Sequence, residues 1–200
     1  MTIIKIDSRK LADFIVEGKK KGYAGGGEEK IINGKKVLLY RNGLWLYRDE
    51  YDGFFGAPGC ETVYYHDDET PVWQMSYSGG MAYDLIPKDR DDKDTRERKK
   101  AYAEEIFNFL KEVLGHVTVD APYRGPRFFP RGVKICYYND MRAGSNLILV
   151  SGKERIIDHR RNTRLSPVFS QEYIGQLIIR KNDVLKRKSK NHFILLKNAA

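Results

Sequence analysis

The sequence predicts an α+β fold in which two similar halves each place one helix before an antiparallel β-meander. The first observation is a repeated stretch: residues 59–79 and 152–175 both begin Gly-x-Glu and end Pro-Val-aromatic-x-x-x-Tyr-x-Gly. The second is a helical spacing of apolar residues before each meander. Halves this short need one another to bury a core, so we expect them to pack with pseudo-two-fold symmetry.

Ten positions make up the repeated motif. They are Gly59, Glu61, Trp73, Tyr77 and Gly79 in the first stretch, and Gly152, Glu154, Phe169, Tyr173 and Gly175 in the second. The second stretch is three residues longer, and the extra residues all fall within its polar turn. Because each residue type returns at the same place, a shared structural contact is the simpler explanation of the motif.

Local signals place the first elements. Asp7 or Ser8 is a candidate N-cap for a helix, because a side-chain oxygen there accepts a hydrogen bond from a free backbone amide. Leu11 and Phe14 then begin the apolar side of that helix. Strands follow, and the Asn-Gly pair at residues 42–43 is typical of a tight hairpin turn. The first half is therefore predicted to be a helix followed by a meander.

The domain organisation follows from a charged connector in the middle of the chain. It leads into a second helix, predicted over residues 95–114, with Gly115 as its end. We expect one integrated domain with a first half over 1–86, a second half over 87–180 and a basic tail over 181–200. The apolar run in the tail is either a last strand, preceded by a basic turn, or part of an appended arm.

Charge is unevenly distributed along the chain. The net charge is +9, yet residues 1–119 hold 19 basic and 21 acidic side chains, whereas residues 120–200 hold 17 basic and six acidic ones. Such asymmetry indicates either a surface for a polyanion or solubility charge on a solvated face. We expect a binding protein whose basic second half contacts nucleic acid, since cations gain affinity by releasing counterions from phosphates.

The candidate nucleic-acid contacts are Arg124, Arg127, Arg131, Arg155, Arg160, Arg161, Arg164, Lys186, Arg187 and Lys188. Aromatic residues at 128–129 and 137–138 are interleaved with them, and exposed rings stack on unpaired bases. The alternative for these aromatic residues is a place in the core, which alternation along a strand also indicates.

A hydrolase-type enzyme using Glu61 and Glu154 is a further alternative, because two carboxylates share acid and base work when their pKa values are split. The structural interpretation is that each glutamate satisfies a backbone or arginine contact, with Arg48 as a candidate partner of Glu61. The sequence contains no Gly-x-Ser-x-Gly or His-Glu-x-x-His motif. We therefore favour a non-enzymatic role.

Metal and cofactor motifs are absent from the sequence, so we expect neither a metal nor an organic cofactor. The two cysteines, Cys60 and Cys136, predict reduced thiols rather than a disulfide framework. No apolar run approaches the roughly 20 residues that span a membrane, and the first residues do not form a signal peptide. These features predict a cytoplasmic protein that does not contact membranes, and they leave its oligomeric state open.

Several motifs in order carry a resemblance to a known family. They are Tyr-Ala-Gly-Gly at 23–26, Tyr-Arg-Asp-x-Tyr at 47–51, the repeated stretches, and Pro-Tyr-Arg-Gly-Pro at 122–126. This order resembles the domain-of-unknown-function family numbered 5680, over about residues 10–178. The resemblance implies fold and boundaries but no reaction.

Some bacterial members of that family carry a helix-turn-helix domain, which implies a sensing role associated with transcription. This chain shows no separate region of that kind, its basic tail lies outside the resemblance, and its second turn, residues 159–165, is unusually basic. A further functional alternative is a small-molecule sensor or binder that uses the tyrosine-rich sheet and a cleft between the halves.

Overall fold

A computed structural model of the chain describes residues 3–25, 27–66, 70–161, 166–189 and 192–198. These residues form two α-helices, one turn of 3-10 helix and twelve strands, and all strand pairs are antiparallel. The predicted α+β class with antiparallel sheets is confirmed. The arrangement of two helix-plus-meander halves with pseudo-two-fold symmetry stays a prediction.

Strand β1 (Ile3–Asp7) leads directly into helix α1 (Ser8–Lys21). The helix begins there because the Asp7 carboxylate accepts a hydrogen bond from the Arg9 amide at 2.9 Å. Its last turn is basic, which suits the negative end of the helix dipole. Lys19 in that turn is buried rather than solvated, so the helix brings a cation into the protein interior.

Helix α2 (Lys93–Leu114) covers the segment predicted over 95–114. It begins earlier than predicted because the Asp92 carboxylate caps it, accepting from the Thr95 amide at 2.7 Å. Gly115 follows the last helical residue, as expected from its position after the apolar run.

Nine strands form the main sheet. They are β2 (Glu29–Ile32), β3 (Lys35–Asn42), β4 (Trp45–Tyr51), β5 (Gly59–Tyr65), β6 (Pro71–Met81), β7 (Phe128–Arg131), β8 (Ile135–Met141), β9 (Leu149–Asp158) and β10 (Phe169–Leu177). Their order across the sheet is β2-β3-β4-β5-β6-β10-β9-β8-β7. Strands β6 and β10 therefore pair in its middle, and their register places Tyr77 opposite Tyr173.

A hairpin joins β3 to β4 at the predicted Asn-Gly signal, but its two turn residues are Gly43 and Leu44, and Asn42 is the last residue of β3. Gly43 has a φ of +57°, a left-handed conformation that glycine adopts without steric cost. Asn42 pairs with Trp45 across the turn, so the turn sets the register of the whole hairpin. The Asn-Gly signal thus located the hairpin to within one residue.

The C-terminal segment forms β11 (Val184–Ser189) and β12 (His192–Asn198), which join β1 in a three-stranded sheet of order β1-β12-β11. The apolar run at 193–196 is thus a strand in an ordered sheet, which matches the first of the two alternatives. The basic residues before it form strand β11, however, and the expectation that they make the turn is wrong. The reason is pairing: β11 gains backbone hydrogen bonds along β12.

Both helices cover the same face of the main sheet. Directly opposed residues of an antiparallel pair share a face, and side chains alternate along each strand. Helix α1 contributes Ile15 to a cluster around the buried Trp73, and α2 contributes Phe109 to a cluster around the buried Phe169. The matched aromatic residues of the two stretches therefore each centre one part of the core.

Candidate functional site

The repeated glycines and tyrosines form cross-strand pairs. Gly59 lies opposite Tyr77, and Gly152 lies opposite Tyr173. A Cβ atom at either glycine would overlap the ring of the opposing tyrosine. Glycine is therefore required at both positions, because only its missing side chain leaves room for the ring above the strand.

Each tyrosine ring thereby crosses the glycine strand and reaches the strand beyond it. The Tyr77 hydroxyl donates to Asp49 Oδ1 at 2.8 Å, and the Tyr173 hydroxyl donates to Asn139 Oδ1 at 2.8 Å. Asp49 and Asn139 are in turn the cross-strand neighbours of the two repeated glutamates. Each copy of the motif thus places a tyrosine hydroxyl, a glutamate and an Asp or Asn side chain next to one another on the covered face of the sheet.

Arg124 joins the two repeated glutamates in the interior. It donates from Nη1 to Glu61 Oε1 at 3.2 Å and from Nε to Glu154 Oε1 at 3.0 Å. The exposed fractions are 4% for Arg124, 2% for Glu61 and 0% for Glu154. Burial by itself lowers the pKa of Arg124, but the charges of Glu154 and Glu61 outweigh it and hold this pKa well above the ordinary value.

Each glutamate has a second partner from its own half. Lys19 Nζ of α1 donates to Glu61 Oε2, and the Tyr137 hydroxyl donates to Glu154 Oε2 at 2.7 Å. Burial lowers the pKa of Lys19, and the opposing charge of Glu61 only partly offsets this, so the pKa of Lys19 lies below its usual range. The two cations and two glutamates therefore neutralise one another inside the protein.

Asp49 stands beside this group without an ion pair among the described residues. Its side chain is 3% exposed, and the Tyr77 hydroxyl is its hydrogen-bond donor. Burial, followed by the negative charge of Glu61, raises the pKa of Asp49 to about 7. A carboxyl group with this pKa changes its charge near neutral pH, where ordinary aspartates stay ionised.

A pocket of about 350 Å³ opens next to these groups, between the end of α1, strands β4–β6 and α2. Four buried charged residues line it, namely Lys19, Asp49, Glu61 and Arg124. Six aromatic residues also line it, namely Tyr23, Tyr47, Tyr51, Phe54, Tyr77 and Phe107. This volume and this mixture of apolar lining with a few polar groups are typical of small-molecule sites.

Gln171 of β10 also lines the pocket, although it is only 3% exposed. Its Nε2 atom has no hydrogen-bond partner within the part of the chain that the structure describes. An amide buried without a partner loses the free energy of the hydrogen bonds it made to water. A bound molecule with an acceptor group would supply that partner.

The two glutamates do not face a common cleft. Glu61 lines the pocket, whereas Glu154 is not part of its lining and is fully buried by Arg124 and Tyr137. Arg48, the candidate partner of Glu61, lies on the other face of the sheet and pairs with Glu50. The arrangement is that of a buried ionic cluster with one carboxylate at the edge of a pocket.

Arg124 is the clearest correction among the residues predicted to contact nucleic acid. It is buried and bound by both glutamates, so its guanidinium is not available to a phosphate at the surface. The sequence did not indicate the buried pairing of Arg124, because an arginine beside glycine and proline in a basic segment is typical of a protein surface.

Three further arginines of the predicted set are already paired with carboxylates. Arg131 binds Glu112, Arg155 binds Asp140 at 3.2 Å, and Arg160 binds Asp158 at 2.7 Å and Glu105 at 2.9 Å. These internal pairs reduce the positive charge that the second half presents.

The remaining members of the set lie apart from one another. Arg127, just before β7, and Arg161, in the turn after β9, are exposed, and residues 186–188 are exposed on β11 of the smaller sheet. Arg164 lies outside the described residues. The predicted cations are therefore distributed over both sheets.

Sequence reasoning missed Asp49 and Lys19 as members of the site. The signal for Asp49 was present, because the segment 45–49 aligns with 135–139 and sets Asp49 against Asn139. Lys19 had no such signal, since its burial depends on where α1 docks.

Two further observations concern metal binding and membrane-spanning helices. Among the described residues, no group of three or more His, Cys, Asp or Glu side chains is placed to hold a metal ion. Neither helix in the described part of the chain combines the length and the apolar character needed to cross a bilayer.

Comparison with known families supports the resemblance. A family model described as a domain of unknown function, DUF5680, matches residues 49–165, which include Asp49, Arg124 and both repeated glutamates. The match is narrower than the span over which the motifs resemble the family, and it covers more than half of the chain. No curated protein and no solved structure matches the chain. The chain belongs to the DUF5680 family.

Proposed function

We propose that this protein binds a small organic molecule in the pocket between α1, β4–β6 and α2. The observation that carries the proposal is the placement of buried charges beside open space. A charge in the interior costs free energy unless it is paired. An ionic cluster with only a structural role is therefore expected to be packed on all sides by other side chains. Here the charged groups instead meet an aromatic-lined pocket of about 350 Å³.

The unpaired amide of Gln171 supports the same proposal. It shares the pocket with Asp49, whose carboxylate also lacks a partner of opposite charge among the described residues. A molecule with a hydrogen-bond acceptor and an apolar body would satisfy the amide and cover the aromatic lining. Binding would then relieve a cost that the free protein carries.

Substitution N108W is expected to block the pocket. Asn108 is an exposed residue of α2 at the pocket lining, so a larger ring there occupies the space without disturbing the core. The measurement is a thermal-shift screen of small aromatic acids, amines, alcohols and amides, followed by calorimetry. A ligand at about 100 times its Kd should raise the Tm of the unsubstituted protein by about 5 °C, and N108W should lose that shift.

The matched control is A101W. Ala101 is exposed on the same helix, about 10 Å before Asn108, and does not line the pocket. It should keep every shift seen with the unsubstituted protein. The proposal is wrong if no compound in the screen binds, or if N108W binds the same compounds as strongly as A101W does.

Polyanion binding is a second candidate, and the observation that favours it lies on β11. Residues 186–188 are three consecutive exposed cations on an edge strand, and none forms an ion pair with a carboxylate in the described part of the chain. Charge reversal of all three should weaken the binding of a labelled oligonucleotide. For about three phosphate contacts, the unsubstituted protein should lose some 40-fold in affinity between roughly 50 and 200 mM salt.

The control for this second candidate reverses three exposed cations of α2, Lys93, Arg98 and Lys100, which changes the net charge equally. If β11 is the specific binding surface, this control should bind the oligonucleotide with the same affinity as the unsubstituted protein. Equal losses in both triple variants would mean that only net charge matters. Binding that ignores salt would exclude phosphate contacts.

Two finer expectations about the chain are also proposals. A pseudo-two-fold axis between β6 and β10 is supported by the register of Tyr77 against Tyr173 and by the matched glycine and tyrosine pairs. A cytoplasmic location is supported by the free thiols of Cys60 and Cys136, since reducing compartments keep cysteines unpaired.

A further inference from the structure

We infer that the pocket takes a small organic ammonium compound, an amine with an apolar or aromatic body whose cation pairs with Asp49. The inference rests on the proposed function and adds the chemical class of the ligand. It follows from the charges of the buried ionic cluster beside the pocket, from a comparison of Asp49 with Asn139, and from the aromatic residues of the lining.

The charge balance leaves one carboxylate without a counterion. Lys19 and Arg124 are the buried cations that line the pocket, and both are bound to the repeated glutamates, one of which also lines it. Two cations and two glutamates cancel, so the ionised form of Asp49 leaves the buried group with a charge of −1. A ligand cation would neutralise it, whereas a ligand anion would add a second unpaired negative charge in a poorly solvated place.

The rim of the pocket does not supply that missing cation. Lys36 lies 3.6 Å from Glu29, and Lys111 lies over the ring of Tyr23 at 5.1 Å. Both lysines line the pocket, and so does Glu104, a further carboxylate of α2. Acidic and basic groups of the rim are thus balanced, and the excess of negative charge remains at Asp49.

The second half shows what this position looks like when it is purely structural. Asn139, which aligns with Asp49, uses its Oδ1 to accept from Tyr173 and its Nδ2 to donate to the Gly125 carbonyl at 2.8 Å. Both ends of that amide are satisfied by protein groups. Asp49 keeps the tyrosine contact but makes no second hydrogen bond among the described residues, and it faces the pocket. A charge therefore replaces a neutral amide at the one place where a ligand can reach it.

The aromatic lining suits a cation as well as an apolar body. The faces of aromatic rings attract cations, and two rings of the pocket already hold protein cations, Lys111 over Tyr23 and Arg124 over Tyr77. Tyr47 also lines the pocket beside Asp49, and among the described residues no cation lies over its ring. Asp49 itself is faced by Glu61 from β5, Tyr77 from β6, Lys19 from α1 and Arg124 from the loop before β7. A bound ammonium favours the ionised carboxylate, so binding is expected to release a proton and to strengthen from about pH 6 to pH 8.

The test compares benzylamine and phenethylamine with benzyl alcohol and phenethyl alcohol, their neutral counterparts of similar shape. Calorimetry is done in phosphate buffer, because amine buffers would compete. At about pH 8 each amine should bind about 10- to 100-fold more tightly than its alcohol, the worth of a hydrogen bond to a charged group. At about pH 6 the amines should lose about tenfold in affinity, while the alcohols should not change.

Two variants separate the inference from the proposed function. D49N should bind amine and alcohol equally and without pH dependence, and N108W should bind neither. Equal binding of amines and alcohols to the unsubstituted protein overturns the ammonium inference and leaves the pocket intact as a binding site. Failure of both amines to bind also overturns it, while acids or amides that bind and are lost in N108W would keep the proposed function.

Discussion

Substitution R124M is expected to lower the free energy of unfolding by about 3–5 kcal/mol, the cost of leaving a buried carboxylate without its counterion. Arg124 binds both Glu61 and Glu154 at 4% exposure, and Met keeps the unbranched apolar part of the side chain but lacks the charged guanidinium group. After the change Glu154 keeps only the Tyr137 hydroxyl as a donor among the described residues. Urea unfolding followed by circular dichroism measures the loss.

Two comparisons make this expectation specific. R131M removes an arginine that pairs with Glu112 at the surface, where it is 37% exposed, and should cost less than about 1 kcal/mol. The double variant R124M/E154Q removes the uncompensated charge and should recover part of the stability. If R124M and R131M are equally mild, the buried pairing of Arg124 is not a major source of stability. If R124M does not fold, E154Q alone measures the same pairing from the other side.

Substitution D49N is expected to raise the free energy of unfolding above neutral pH by up to about 4 kcal/mol. The reason is that folding raises the pKa of Asp49 from 3.8 to about 7, so burying its ionised form costs free energy. The native carboxyl group keeps its proton up to about pH 7, whereas the unfolded chain releases it near pH 4. Its contribution to stability is therefore complete below about pH 4 and is lost as the pH rises to 7. An asparagine can accept from Tyr77 in the same way and carries no charge to bury.

The measurement is the difference in unfolding free energy between D49N and the unsubstituted protein at several pH values. The difference should be near zero at about pH 4 and should grow until about pH 7. D140N, which changes an exposed carboxylate of β8, should show no such growth. The reciprocal variant N139D should lose stability at neutral pH, because its carboxylate would face the Gly125 carbonyl. A pH-independent gain in D49N would contradict a protonated Asp49 in the native protein.

The features that sequence patterns predicted correctly are local. A hairpin forms at the Asn-Gly signal, with its turn one residue later at Gly43 and Leu44, and the helix expected over 95–114 is α2. These predictions succeed because turn geometry, capping and side-chain alternation act between residues that are close in the chain. The strand pairings of the matched stretches were predictable for the same reason.

The errors concern which charged residues are buried. Arg48 is a candidate partner of Glu61 in the sequence, but it lies opposite Thr62 across the sheet, and alternation puts the neighbouring Asp49 and Glu61 on the opposite face. Arg124 was expected at the surface and lies in the interior. Neither outcome can be derived from a local pattern, since the same residue type serves both roles.

The sequence by itself determined the α+β class, the antiparallel strands and the glycine and tyrosine positions of the two matched stretches. Only the tertiary structure decided that these stretches carry a buried ionic cluster and a pocket. The partners of Glu61 come from residues 42 and 63 positions away in the chain, on α1 and on the loop before β7. Their burial is created when both helices cover one face of the sheet, and the strength of an ionic contact depends on that exclusion of water.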